Sequence, residues 1–388
     1  MSAWPGKFVI GLTGNIATGK SVVRKMLEHL GAYGIDADAL GHRAIAKDAP
    51  GYKPVVDTFG RWILGEEDQI DRAKLARVVF ADPDALKLLE QVVHPLVRQA
   101  TDILVRRAKQ PVVVVEAIKL LESPLRQGID SIWVTYAPPE VQLDRLMKKR
   151  GMSEDIARLR IASQQPQEEK VGAANVVIRN DGSFDDTWKQ VVASWRKLLP
   201  TVPAEEAPEK TTVVIQAPAT APALVGRFTV EKARPRQSAE IASFITRVTS
   251  GIRHPRSEDI MEAFGEKAYM LLRLNDQPVG LVGWQVENLV ARTDDVYLEG
   301  RLPVEPAMKA LLEQLEETSK DLQCEAMLLF LSPQLARQEE VWRNLGYEPR
   351  SISGLGVRAW QEAAQETLTG GQVLLFKQLR KDRVLRPV

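Results

Sequence analysis

The sequence predicts an α/β fold for the first half of the chain, a parallel sheet flanked by helices, and an α+β unit after it. Three observations predict it. From Phe8 to about Leu199, short apolar runs alternate with stretches of helical periodicity, the order that builds parallel sheets. Gly14-Asn15-Ile16-Ala17-Thr18-Gly19-Lys20-Ser21 reads G-x-x-x-x-G-K-S between a strand and a helix, the phosphate-binding P-loop pattern. Between Pro200 and Gly226 the texture turns to proline, alanine, glutamate and threonine, the composition of an extended linker. A chain of 388 residues also exceeds one ordinary domain and suits two. We therefore expect domains at 1–200 and 227–388 with a Pro/Ala-rich linker at 201–226.

The elements follow in order. Phe8 to Thr13 is a buried strand, and Val22 to Leu30 is apolar at helical spacing. Gly31 to Asp38 reads as a short second strand ending in two acids. From Ala39 to about Ala108 the spacing is helical, with breaks near Pro50, Gly60 and Pro83. Pro111-Val112-Val113-Val114-Val115-Glu116 is a continuous β-branched run, suited to a central strand covered on both faces. Ser131 to Tyr136 is a further strand, followed by one charged helical stretch from Val141 to about Ala162. Asn175 to Arg179 is the last strand of this half, and a helix runs from there to Leu199. Within the linker, Val213-Val214-Ile215 reads as a lone strand. Beyond Arg227, an amphipathic helix is expected over Pro235–Gly251. Ala268–Leu274 and Val279–Val286 form a hairpin about Asn275-Asp276-Gln277-Pro278, and Val296-Tyr297-Leu298 continues the sheet. A helix from Glu305 to Leu322, a buried strand from Ala326 to Leu331 and a strand from Val373 to Lys377 complete the unit.

Composition bounds the partners. Hydrophobic residues make up 44% and charged residues 27%, a soluble globular mix. A formal net charge of +1 provides no basic field for nucleic acid. Cys324, the one cysteine, can form neither an internal disulfide nor a cysteine metal site, which fits a cytoplasmic setting. No segment is long and apolar enough to span a membrane.

The P-loop points to nucleotide chemistry. N–H groups at a helix start have no partner in the helix, and the helix dipole favours an anion there. Lys20 would place its ammonium on the outer phosphates of ATP, and Ser21 its hydroxyl on Mg2+. The pattern alone does not separate a kinase from a GTPase or motor, but an N-K-x-D guanine motif is absent. Transfer to an alcohol needs a base beside the hydroxyl. Asp36 and Asp38, at the expected carboxyl end of a strand, would point the same way and supply it. The alternative is that they cap the next helix. Arg145, Lys148, Lys149 and Arg150 are candidates for a basic lid over the phosphates. Another small-molecule kinase, or a nucleotide-binding regulatory protein, stays open on these residues alone.

The ordered set of motifs from Phe8 to Leu199 resembles the dephospho-CoA kinase family. It comprises Gly11-Leu12-Thr13-Gly14 with the P-loop, Ile35-Asp36-Ala37-Asp38 with His42, Phe59-Gly60, Ile70-Asp71-Arg72 with Leu75 and Phe80, and His94-Pro95. It continues with Leu120-Leu121-Glu122, Gln142 with Arg145-Leu146, Gln164 or Gln165, and Val177-Ile178-Arg179-Asn180. The resemblance implies a P-loop kinase that phosphorylates the 3′-hydroxyl of dephospho-CoA with ATP. It makes Asp38 the general base with Asp36 beside it, puts Lys20 and Ser21 on phosphates and magnesium, and Arg145 and Lys149 on a lid. It sets Arg72 and His94 on the acceptor side and Asn180 in the adenine-side loop. Asn15 and Ala17 replace frequent glycines, and Ile118-Lys119 replaces a proline and a leucine.

The region from Arg227 to Lys377 is similar to GNAT acetyltransferases in element order and in Val341-Trp342-Arg343-Asn344-Leu345-Gly346-Tyr347-Glu348-Pro349. The family's phosphate cradle before the middle helix is replaced by Gly300-Arg301-Leu302-Pro303-Val304-Glu305-Pro306. Two prolines remove donors and Glu305 adds a negative charge. The resemblance thus implies the fold without strong acetyl-CoA binding, and a regulatory or interaction role, with CoA sensing as one form of it.

Overall fold

The computed structural model describes residues 3–198, 211–213, 215 and 227–382. The expected linker at 201–226 therefore lies outside the described residues, apart from 211–213 and 215. The chain divides into two compact units, with the change between Ser194 and Trp195.

In the first unit, β1 (Phe8–Thr13), β2 (Tyr33–Asp36), β3 (Val112–Glu116), β4 (Ser131–Tyr136) and β5 (Val176–Arg179) form one sheet in the order β2-β3-β1-β4-β5. Every pairing is parallel. All of β3 is buried, as its unbroken valine run requires of a strand covered on both faces. β5, at the edge, alternates between exposed and buried positions. Helix α1 (Lys20–His29) buries Val23, Met26 and Leu27, its apolar stripe.

The long helical segment becomes α2 (Ala37–Ala44), α3 (Tyr52–Phe59), α4 (Arg72–Ala81) and α5 (Pro83–Arg107). Asp71 and Asp82 cap α4 and α5, and Pro83 occupies the first turn, where its missing N–H costs nothing. Ile45, Val55, Ile63, Ile70, Leu75 and Val79 give this segment its own small core. The single charged helix expected after β4 is instead α6 (Pro139–Arg150) and α7 (Glu154–Ala162). Gly151, at φ 62°, ends α6 in the left-handed conformation that glycine tolerates. α8 (Gln167–Gly172) and α9 (Phe184–Leu198) follow.

The second unit has an eight-stranded sheet, β6 (Thr211–Val213), β7 (Phe228–Lys232), β8 (Ala268–Leu274), β9 (Gln277–Glu287), β10 (Val290–Leu298), β11 (Ala326–Leu331), β12 (Glu348–Pro349) and β13 (Val373–Gln378). Its order is β12-β13-β11-β10-β9-β8-β7-β6. β10 and β11 run parallel, and the other neighbours are antiparallel. Three expectations are corrected here. Thr211–Val213 is an edge strand paired with β7, not a lone one. Val296–Leu298 is the end of a long β10, read too short because its half-buried polar residues break the apolar run. The helix expected from Pro235 is a 3-10 turn at Pro235–Gln237, then α10 (Ser238–Val248). The hairpin turn is the two residues Asn275 and Asp276, at φ 50° and 64°, the type I′ geometry that asparagine and aspartate tolerate.

Also present are α11 (Ser257–Ala263), α12 (Val304–Asp321), α13 (Pro333–Ala336), α14 (Glu339–Asn344) and α15 (Arg358–Thr367). Met308, Leu311, Leu312 and Leu315 of α12 enter the core beneath the sheet. Trp360 of α15 covers the other face with Leu328 and Phe330.

Candidate active site

The carboxyl ends of the parallel strands meet in one place. β1 runs into the P-loop, β2 ends at Asp36, β3 at Glu116, and β5 leads into Asn180. An open α/β sheet places its ligand crevice at this edge. Gly14 lies against Thr135 and Gly19 against the Asn180 amide, so a Cβ at either position would clash. Gly19, at φ 91°, precedes α1 in a conformation costly for any other residue.

The loop is braced from outside. Arg145 donates from Nη1 to the Ala17 carbonyl at 3.1 Å and from Nη2 to the Asn180 carbonyl at 2.8 Å. Asn180, buried, donates from Nδ2 to the Thr18 carbonyl at 3.0 Å. The Thr18 hydroxyl bonds to the Asn15 carbonyl at 2.8 Å and faces the Thr135 hydroxyl at 2.7 Å. Asn15 donates to the Gln165 carbonyl at 2.9 Å, and the Ile16 N–H donates to Gln164 Oε1 at 2.6 Å. The carbonyls of Asn15, Ala17 and Thr18 and the Ile16 N–H are thus spent on braces. The first N–H groups of α1, at Lys20, Ser21 and Val22, have no partner within the helix and point at its mouth.

Lys20 is buried, with Nζ 3.1 Å from the Asn15 carbonyl. Burial lowers its pKa, while Glu116 and Asp38 resist. Ser21 donates its hydroxyl to Glu116 Oε1 at 3.0 Å. Arg24 binds the other oxygen of Glu116 at 2.7 Å and Glu28 at 2.7 Å, so a buried ion network lies directly behind the P-loop. Sequence reasoning missed Glu116 and Arg24. The available signal was a lone carboxylate closing an otherwise apolar central strand, a position where burial demands a partner.

Asp36 and Asp38 do not share a strand. β2 ends at Asp36, and Asp38 lies in the first turn of α2. The chain turns here because Asp36 caps α2, accepting the Ala39 N–H at 2.8 Å. Capping thus holds for one of the two acids. Burial, then Glu116, pushes the Asp36 carboxyl up to about 6. Asp38 instead accepts the Ile118 N–H at 3.0 Å, on the segment leaving β3. Burial raises its pKa, against the Ile118 bond and Lys20. Lys20, Asp36, Asp38 and Glu116 therefore come from four elements, α1, β2, α2 and β3, and only their assembly brings them together.

Lys119 points away from this cluster and pairs with Glu90 at 2.7 Å, so its charge in the apolar stretch is spent at the surface. Arg72 is the first residue of α4 and exposed, His94 is half-buried midway along α5, and Lys149 is exposed on α6 four residues past Arg145.

The family model described as dephospho-CoA kinase matches residues 8–186. A dephospho-CoA kinase of Geobacter metallireducens is 42% identical over 194 residues, 49% of this chain and 96% of its own length. The solved dephospho-CoA kinase from Campylobacter jejuni is 28% identical, covering 50% of this chain and 98% of its own, with a TM-score of 0.38. A PaiA N-acetyltransferase from Thermoplasma acidophilum, solved with coenzyme A, is 10% identical over 39% of this chain and 98% of its own, with a TM-score of 0.30. A relative matched over almost its whole length at this identity, onto the half of the chain that carries the P-loop, shows that the chain belongs to the dephospho-CoA kinase family.

Proposed function

We propose that the first unit transfers the terminal phosphoryl group of ATP to the 3′-hydroxyl of dephospho-CoA, giving coenzyme A and ADP. In this reading the P-loop, residues Gly14 to Ser21, binds the phosphates through the backbone N–H groups it leaves unspent, those at the start of α1 among them, and through the Lys20 ammonium. Asp38 takes the proton of the ribose hydroxyl as the oxygen attacks phosphorus. Asp36 sets the start of α2 and so aims Asp38. Arg145 and Lys149 carry positive charge over the nucleotide, Asn180 shapes the adenine side, and Arg72 and His94 serve the acceptor side. The Ser21 hydroxyl beside the Glu116 carboxylate is a hard oxygen setting that fits Mg2+, and Ser21 would hold it. A bound Mg2+ would neutralise charge on the transferring phosphates.

One observation carries the reading. A carboxylate anchored by the Ile118 N–H lies within the field of the P-loop lysine, where an alcohol acceptor needs its base. The test is turnover of the full chain with ATP, Mg2+ and a panel of acceptors: dephospho-CoA, AMP and other nucleotides. Dephospho-CoA should be preferred. Asp38→Asn should lower kcat about 100-fold or more while leaving ATP affinity within a few-fold. ATP binding without turnover of any acceptor would favour a nucleotide-binding regulatory protein. Preference for another acceptor would favour a different small-molecule kinase.

For the second unit we infer a regulatory or interaction role without acetyl transfer. Support comes from the head of α12, where Pro303 is the N-cap and Pro306 the third residue. Acetyl transfer from acetyl-CoA to an amine panel by the full chain would overturn this. A calorimetric titration with CoA giving two sites per chain would favour CoA sensing as its form.

A further inference from the structure

Lys170, on α8, has no role in the account above, yet it is only 4% exposed. Its Nζ donates to the Ile118 carbonyl at 3.1 Å. The Thr13 hydroxyl, at the end of β1, donates to the same oxygen at 3.1 Å. The N–H of Ile118 is the group that Asp38 accepts. One residue's backbone is therefore held at both ends, by a lysine and a threonine on its carbonyl and by the candidate base on its amide.

A buried ammonium is costly unless it is hydrogen-bonded and faces opposite charge. Lys170 bears electrostatically on Asp38, Glu122 and Lys20. The segment that leads into α8 also carries Gln164 and Gln165, which bond to the P-loop. At the start of α8, Gln167 donates to the Ala137 carbonyl at 3.1 Å, beside Gln142 on the same oxygen at 2.8 Å. The ammonium is thus seated by a short helix tied to β4 and the P-loop, not carried on a free surface turn.

We propose that Lys170 is a positioning residue for the phosphoryl transfer: it locks the Ile118 peptide that orients the Asp38 carboxylate. The proposal rests on the kinase reading for its chemistry, and on the Ile118 geometry for its structure. The other charged groups around Asp38 are Glu116 from β3 and Asp36 from β2. Arg24 of α1 is tied to Glu116. α5 packs on α2 through Val93 and Val97 against Gly41, and it carries Glu90, paired with Lys119, as well as His94 and Arg98. Against this mixed field, removing one cation makes the charged carboxylate less favourable and moves its titration upward.

The experiment compares wild type, Lys170→Met and Lys170→Arg as full chains. Methionine fits the burial, and Ile118 keeps its Thr13 partner, so folding should survive; thermal melts check it. For Lys170→Met we expect kcat at neutral pH to fall about tenfold or more, KM for ATP to stay within about twofold, and the acid limb of kcat to move up by about one pH unit. Lys170→Arg should restore most of the rate. Carbon-13 NMR of the Asp38 carboxyl, assigned by its loss in Asp38→Asn, should show the same upward shift. An unmoved acid limb and carboxyl titration, or a change confined to KM for ATP, would overturn the proposal. If wild type failed to turn over dephospho-CoA while the carboxyl titration still moved, the positioning role would stand and the kinase reading would fall.

Discussion

Two helix starts, one in each unit, follow a strand and a loop, and they differ in what they can hold. At α1, Gly19 turns the chain through φ 91°, and Lys20 stands at the mouth. The braces of Arg145, Asn180 and Gln164 come from elements distant in sequence. At α12, Pro303 caps the helix, Pro306 lacks the third N–H, and the Ala307 N–H is already bonded to the Pro303 carbonyl at 3.2 Å. Only Val304 and Glu305 retain N–H groups to offer, and Glu305 carries the wrong charge for an anion, its carboxylate accepting from Asn344 at 3.2 Å. A helix start is thus a phosphate site only when its donors are left unspent and a cation stands beside them.

That contrast can be broken in several ways. Removing the cation should have the largest effect: Lys20→Met should lower kcat by about 1000-fold with dephospho-CoA, measured in a coupled ADP-release assay. A rate within tenfold of wild type would show that the backbone amides suffice.

The start of α2 sharpens the comparison, because an anion already sits there, the Asp36 carboxylate. Folded, it titrates near 6, above its ordinary value of 3.8. The folded state therefore binds the extra proton between about pH 4 and 6, and this group's contribution to stability falls as pH rises through that window. Asp36→Asn keeps a good cap without the charge, and should stabilise the first unit by about 2 kcal/mol at pH 7.5. The gain should vanish near pH 4, as followed by denaturant melts. A gain independent of pH would assign the effect to packing.

The smallest effect concerns Ala17, at φ 58° in the P-loop. A non-glycine residue there costs about 1–2 kcal/mol, part of which glycine returns as unfolded-chain entropy. Ala17→Gly should raise the melting point of the first unit by about 2 °C, with ATP affinity unchanged or slightly improved.

Much of the site was legible in the sequence because its parts are local. Gly14, Gly19, Lys20 and Ser21 are adjacent in sequence, and strand before with helix after implies their geometry. Asp38 was legible as a candidate but misplaced on a strand, since the end of β2 depends on Asp36 finding the Ala39 N–H. The edge pairing of β6 and the length of β10 escaped periodicity because their partners, not their own residues, define them.

By itself, the sequence determined the alternation of strand and helix, the phosphate loop and the family, since each rests on spacing along a continuous stretch. Only the tertiary structure decided which charges meet. Glu116 with Ser21 and Arg24, Arg145 across the loop carbonyls, and Lys170 on the Ile118 carbonyl join residues tens of positions apart. Burial makes such pairings obligatory, because an unpartnered charge in the interior costs more than folding can spare, but no local pattern in the chain names the partner.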